Sequence, residues 1–288
     1  MSIPIVIFHT GGQQEYFKRC VSISSQKNTV YIIGDNSNKE LFSNNENVQF
    51  FHVDDLHSNE IDTFKSCFVN YSSNSHDYEI TCYLRVFYLK KLFEKTGKQW
   101  MFHTDSDCIL LENVNDIFPE PTNIAYSIQK MENKFHMVGS IHNSLLDIDF
   151  CNKFIELCFD IYLNRSKFDL IDKKLQWHKI TNTPGGICDM TLYYLLYSEN
   201  IIANIIDLNM PMKYPGTDID IIFDHNVCDS YGFNGERTFN KNIIKIIRKI
   251  ENRFYFQLAD KQQQYIQTMS IHFQGNAKRL LSSFSLNR

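Results

Sequence analysis

Several features that would place a chain quickly are missing from this one. No apolar run approaches the roughly eighteen residues that a membrane span needs, so none is expected. Basic charge is not in excess: 29 Lys and Arg stand against 33 Asp and Glu, which argues against a nucleic-acid partner. No two of the eight cysteines form a Cys-x-x-Cys pair. Several lie in apolar runs, where a free thiol behaves as a small hydrophobe, so a reducing, cytoplasmic setting is the simpler expectation. The opening Met1-Ser2-Ile3-Pro4 has no basic segment and no small-residue cleavage site after it. It is read as leading into a strand rather than as a signal peptide. Internal repeats and low-complexity linkers are also absent.

What is present is a chain of 288 residues, 43% hydrophobic, which is enough to bury a large core. The stretches 3–8, 29–33, 48–53, 124–128, 137–146, 177–183, 201–207 and 269–273 read as strands, the first as a continuous apolar run. Helical spacing of apolar residues marks 13–25, 79–95, 150–163, 190–198 and 242–257, the last with a basic polar face. The polar stretch 56–78 is expected to be a loop with a short helix near 61–69. Strands alternating with helices from the start predict an α/β fold with a mainly parallel central sheet flanked by helices.

The stretch 100–112 carries the chemistry. Trp100-Met101-Phe102-His103-Thr104 has the composition of a buried strand and runs into Asp105-Ser106-Asp107. In open α/β sheets, ligands bind at the carboxyl ends of strands. Two hard oxygen ligands there suit Mg²⁺ or Mn²⁺, which usually also hold substrate phosphates. The bare Asp-x-Asp spacing is weak, because it recurs at Asp147/Asp149 and Asp218/Asp220. The flanks separate the three. Asp149 precedes a helical pattern and reads as an N-cap, and Asp218/Asp220 follow the turn signal Pro215-Gly216.

Other candidates each have a plain structural alternative. His9-Thr10-Gly11-Gly12 closes the first strand, where glycines permit close backbone approach to a ligand or simply turn the chain. Asp35 at the end of the second strand could meet a nucleoside or cap a turn. Arg85 lies inside an apolar helical pattern and needs an anionic partner, either a ligand or a structural carboxylate. Pro184-Gly185-Gly186 precedes Asp189, which opens a helix. There Asp189 is either a cap or a group facing a substrate cleft, with the helix start favouring its ionised form.

Order and motif together resemble the nucleotide-sugar glycosyltransferases of the GT-A fold, most closely those like family 8, the glycogenin and bacterial galactosyltransferase group. In that group an Arg-bearing helix precedes a strand ending in Asp-x-Asp, as Tyr83-Leu84-Arg85 precedes Asp105-Ser106-Asp107 here. The group's C-terminal His-x-x-Gly-x-x-Lys is matched by His272-Phe273-Gln274-Gly275-Asn276-Ala277-Lys278. The resemblance implies that Asp105, Asp107 and His272 ligate Mn²⁺ or Mg²⁺. It implies that Gly275 and Lys278 meet the donor diphosphate. Phe8, His9, Thr10 and Asp35 would lie near the nucleoside, and Arg85, Ser106, Gly185 and Gly186 near the rest of the donor. It also implies one domain over 1–288, with a nucleotide-binding half (1–112) and a half (113–288) that binds the acceptor and ends in the metal and diphosphate segment. The implied partners are a nucleotide-sugar donor, a UDP-sugar by family, and a carbohydrate or other hydroxyl acceptor. Two positions differ from the family: Arg279-Leu280 replace a Pro-Trp, and Gly185-Gly186-Ile187-Cys188-Asp189 replaces an Asp-Gln-Asp. Retention follows by family; inversion would need a carboxylate base, for which Asp189 stands available.

Three other functions share parts of this pattern. A sugar-1-phosphate nucleotidyltransferase would need basic residues in the first glycine loop, and His9-Thr10-Gly11-Gly12-Gln13-Gln14 has no Lys or Arg. An inactive carbohydrate-binding protein of the same fold would have no need of Asp105, Asp107, His272 and Lys278 together. A metal-dependent phosphoesterase would want more His and Asp at short spacing.

Overall fold

The structure is a computed structural model that describes residues 2–131, 133–232, 238–259, 264–281 and 284. Its first half alternates as expected: β1 (Ile5–His9), α1 (Glu15–Ser24), β2 (Val30–Gly34), β3 (Val48–His52), α2 (Asn59–Cys67), α3 (His76–Thr96), β4 (Met101–Thr104), β5 (Cys108–Leu110) and α4 (Val114–Ile117). Then come β6 (Ala125–Gln129), β7 (Val138–Leu146), α5 (Ile148–Tyr162), α6 (Asp169–Thr181), α7 (Asp189–Ser198) and β8 (Ile206–Asp207). The remainder is short strands β9 (Met212–Lys213), β10 (Asp220–Ile222), β11 (Ile247–Ile250), β12 (Arg253–Gln257), β13 (Tyr265–Thr268) and β14 (Ser270–His272), followed by the single turn α8 (Lys278–Leu281).

A seven-stranded sheet in the order β3-β2-β1-β4-β7-β6-β8 forms the centre. Pairing is parallel from β3 through β4 and again between β6 and β8, while β7 runs antiparallel to both of its neighbours. The mainly parallel α/β expectation holds. Both sheet faces are covered, which is why β1 is apolar from Ile5 to Phe8 rather than alternating. Val6 faces a core with α2, α3, α5 and α7, and Ile5 and Ile7 face a second core with α1 and the five-stranded sheet β11-β12-β13-β10-β9. The chain leaves β1 toward β2 on one side and reaches β4 on the other, so the strand order switches direction between β1 and β4. Such a switch opens a crevice at the strands' carboxyl ends.

Helix α3 lines that crevice. Ser75 caps its start by accepting the Tyr78 N–H, and Gly97, at φ +64, ends it in the left-handed conformation that glycine adopts freely. Tyr78, Cys82 and Arg85, spaced i, i+4 and i+7, share the face toward the crevice.

Some expectations fail. Residues 177–183 are not a strand: 177–181 complete α6, which buries Ile171 and Lys174 and stops where Asn182 turns left-handed at φ +51. Residues 242–257 are not a basic helix but lead into the hairpin β11–β12, paired from Ile247↔Phe256 to Ile250↔Arg253. Its two-residue turn, Glu251-Asn252, has φ +47 and +66, the geometry whose twist matches paired strands. The strand expected at 201–207 shortens to Ile206–Asp207. Helix α5 is capped by Asp147, which accepts the Phe150 N–H, and not by Asp149.

Candidate active site

Strand β4 ends in the crevice, and the turn after it carries Asp105 and Asp107. The C-terminal segment reaches the same place because β14 pairs antiparallel with β5, setting His272 opposite Cys108. A ligand atom from each of Asp105, Asp107 and His272 lies within 4.8 Å of the others. The His272 ring is aimed by its surroundings. Its Nδ1–H donates to the His225 carbonyl at 2.5 Å, leaving Nε2 facing Asp107 Oδ1 at 3.3 Å. That tautomer presents a nitrogen lone pair beside two carboxylates, a donor set that fits Mn²⁺ or Mg²⁺.

The backbone under His272 is held by a buried ion pair. Asp224 Oδ2 accepts the His272 N–H at 3.0 Å, and Asp224 Oδ1 takes Lys245 Nζ at 2.5 Å. Lys245 also donates to the Asn226 carbonyl and lies over the Phe239 and Phe256 rings. Both charges of the pair are almost fully enclosed, so each depends on the other for its compensation.

Arg85 reaches from α3 between two carboxylates. One terminal nitrogen donates to Asp105 Oδ1 at 2.6 Å and the other to Asp189 Oδ2 at 2.8 Å. Burial alone would raise the Asp105 carboxyl. The Arg85 guanidinium overrides it, helped by His103, His272 and His142, and holds the group down at about 2. Asp189 goes the other way. Burial lifts its carboxyl above the ordinary range, and Arg85 and the Met190 N–H only partly pull it back. The lowering expected from the helix start is therefore outweighed by desolvation. Lys278 Nζ stands 3.3 Å from Asp107 Oδ2 and 5.1 Å from the centre of the Tyr16 ring.

These groups line one cavity of about 410 Å³. Of the residues singled out in the sequence, it brings together Phe8, Arg85, Asp105, Ser106, Asp107, Asp189, His272, Gly275 and Lys278. His9, Thr10, Asp35, Gly185 and Gly186 are not among its lining residues. His9 stacks on Phe17 at 4.0 Å and donates to Gln14. Asp35 accepts the Gly11 N–H at 2.7 Å and bonds Ser37, so it ties the β1–α1 loop to the end of β2. Gly185 and Gly186 clasp the segment before α3: Gly185 O accepts the Ser73 N–H at 2.9 Å, and a Cβ on Gly186 would sit 2.0 Å from the Tyr71 carbonyl. The lack of a side chain at Gly186 serves a close backbone crossing that sets the start of α7, and so Asp189, beside α3, while a Cβ on Gly185 would meet the His178 ring.

The cavity also includes Gln274, inside the His272–Lys278 motif, and Tyr78, Cys82, Ser140, His142, Met190, Tyr193 and His225, which were not singled out in the sequence. Two signals were there to find. Tyr78 and Cys82 share Arg85's helix face, and Ser140 and His142, two apart, share a face of β7.

No family model matches the chain, and no curated protein matches it. Solved structures do align with it. Mouse xyloside xylosyltransferase 1, in its apo form, aligns over 73% of this chain and 86% of its own, at 11% identity and a TM-score of 0.47. The PaToxG glycosyltransferase aligns over 69% and 70%, at 11% identity and 0.40. A glycosyltransferase involved in glycosylating the major capsid of PBCV-1 aligns over 73% and 84%, at 10% identity and 0.37.

Proposed function

We propose that the chain is a metal-dependent GT-A glycosyltransferase of the family 8 type, moving a sugar from a nucleotide-diphosphate sugar, a UDP-sugar by resemblance, to a hydroxyl acceptor. The observation that carries this is the meeting of two distant motifs. Asp105-Ser106-Asp107 at a strand end and His272-x-x-Gly275-x-x-Lys278 near the other end of the sequence share one cavity, with their ligand atoms clustered.

A divalent ion held by Asp105, Asp107 and His272 would supply charge stabilisation for a departing diphosphate. The chain's own residues do the rest. Lys278, now beside Asp107, has a flexible stem that lets its ammonium meet phosphate oxygens. Gly275, at φ +59, opens the turn before it with no side chain in the way. Arg85 keeps Asp105 ionised and so fit to bind a cation. Asp189, largely buried and lifted in basicity, faces the cavity as an acceptor for a sugar hydroxyl, either orienting it or taking its proton. Partial burial of these charged groups strengthens each interaction relative to water.

The test is a screen of UDP- and GDP-sugars for Mn²⁺-dependent hydrolysis, with Asp107→Ala as control. Turnover that needs the metal and vanishes in a folded Asp107→Ala protein supports the assignment. Turnover that persists in excess chelator, or in Asp107→Ala, rules it out.

A further inference from the structure

His142 touches both arms of the Asp105, Asp107 and His272 cluster without belonging to it. Its carbonyl, on β7, accepts the Asp105 N–H at 3.0 Å, which fixes the backbone where the Asp-x-Asp turn begins. Its imidazole lies against the His272 imidazole, with ring centroids 4.8 Å apart and planes 15° from parallel. The His142 ring is itself fixed by a hydrogen bond of 2.8 Å between its Nδ1 and the Ser140 hydroxyl. It is 3% exposed. The Cβ attachment and the Nδ1–H bond to His225 pin one edge of the His272 ring, so the edge carrying Nε2 is the one left to swing out of plane. The His142 ring stacked on its face opposes that swing.

We propose that His142 is a positioning residue for the cation: its backbone sets the Asp105 turn and its ring sets the plane in which His272 Nε2 points. This rests on the metal-binding part of the proposed function. A partner that orients a ligand imidazole typically affects metal affinity by about ten- to a hundred-fold. Here the ring contributes orientation through its flat face, so an aromatic replacement should keep what a small one loses.

The experiment is Mn²⁺ titration of the full chain, followed by the electron paramagnetic resonance signal of free Mn²⁺, in wild type, His142→Phe and His142→Ala. Melting curves identify the folded fraction. The expected result is affinity within about three-fold of wild type for His142→Phe and weaker by about ten-fold or more for His142→Ala. If His142→Ala fails to fold, His142→Leu, which fills the space without a flat ring, takes its place with the same expected loss. Wild-type affinity in a folded His142→Ala overturns the inference while leaving the metal site standing. Equal loss in both variants also overturns it, because a flat ring is then not what matters. A wild type that binds no Mn²⁺, alone or with a nucleoside diphosphate, removes the metal reading and this inference with it.

Discussion

Removing the Arg85 guanidinium should cost stability through charge, and the loss should depend on pH. Arg85→Met keeps most of the stem's bulk in α3 but leaves Asp105 and Asp189 facing each other without their shared cation. Asp105 sits at about 2 against an ordinary 3.8, and at about 1.4 kcal/mol per unit this is worth about 2 kcal/mol above pH 4. Its side chain is 31% exposed, so solvent trims the figure somewhat. Asp189 is more deeply enclosed and loses its partner too, which brings the expected total to about 3 kcal/mol at neutral pH. The sign follows from linkage. A carboxyl depressed in the folded state contributes fully above 3.8, and the contribution fades as pH falls through about 2. In the variant, burial acts on both carboxyls without the arginine's opposition and raises them relative to wild type, so they take up protons at higher pH. The variant is therefore relieved by acid before the wild type loses anything, and the gap between the two should narrow from pH 7 to about pH 4. Urea unfolding followed by circular dichroism at both pH values measures it. A gap of the same size at both would refute the charge account and make Arg85 a packing residue.

Two further outcomes are expected. Lys278→Ala should lower kcat more than it raises KM for the donor, because the phosphate charge it would meet grows as the glycosyl bond breaks; steady-state kinetics showing only a KM change would reduce it to a uniform binding contact. Asp189→Asn should lose most of the transfer rate and also about 1–3 kcal/mol of stability, since its amide can satisfy the Met190 N–H or Arg85 but not both as the carboxylate does; unchanged transfer by the folded fraction would limit Asp189 to a structural role.

The part of the site legible in the sequence was the part with local signals. A buried strand running into two carboxylates announces itself, and so does an amphipathic helix such as α3 with an arginine on its apolar face. What escaped was set by contacts between distant segments. Gly185-Gly186 looked like room for a substrate, and Gly186 makes room for the backbone of 71–72 while Gly185 lies against His178. Asp35 looked equally able to bind a nucleoside or cap a turn, and its partners are Gly11 and Ser37. Lys245 sat in what read as the polar face of a helix. Its actual place, enclosed with Asp224, follows from a hairpin whose Glu251-Asn252 turn is a weak local signal. Isoleucine-rich runs such as 243–250 suit a strand as well as a helix, and pairing with β12 decides between them. His142 carries no signature at all in one dimension; only the stacking of β7 against the end of β14 gives it meaning.

The antiparallel pairing of β14 with β5 has a consequence for the order in which the protein becomes competent during synthesis. A nascent chain that has emerged only through α7 already holds Asp105, Asp107, Arg85 and Asp189, yet it has neither the imidazole nor the lysine that stand beside Asp107. Nor does it have the Asp224–Lys245 pair that seats His272. The acidic cluster thus waits with one arginine as its cation until the ribosome delivers residues 224–278. Only then does the late strand dock on a short early one and close the set, so the cavity's full chemistry switches on in one step once residues 224–278 are made rather than growing with the chain.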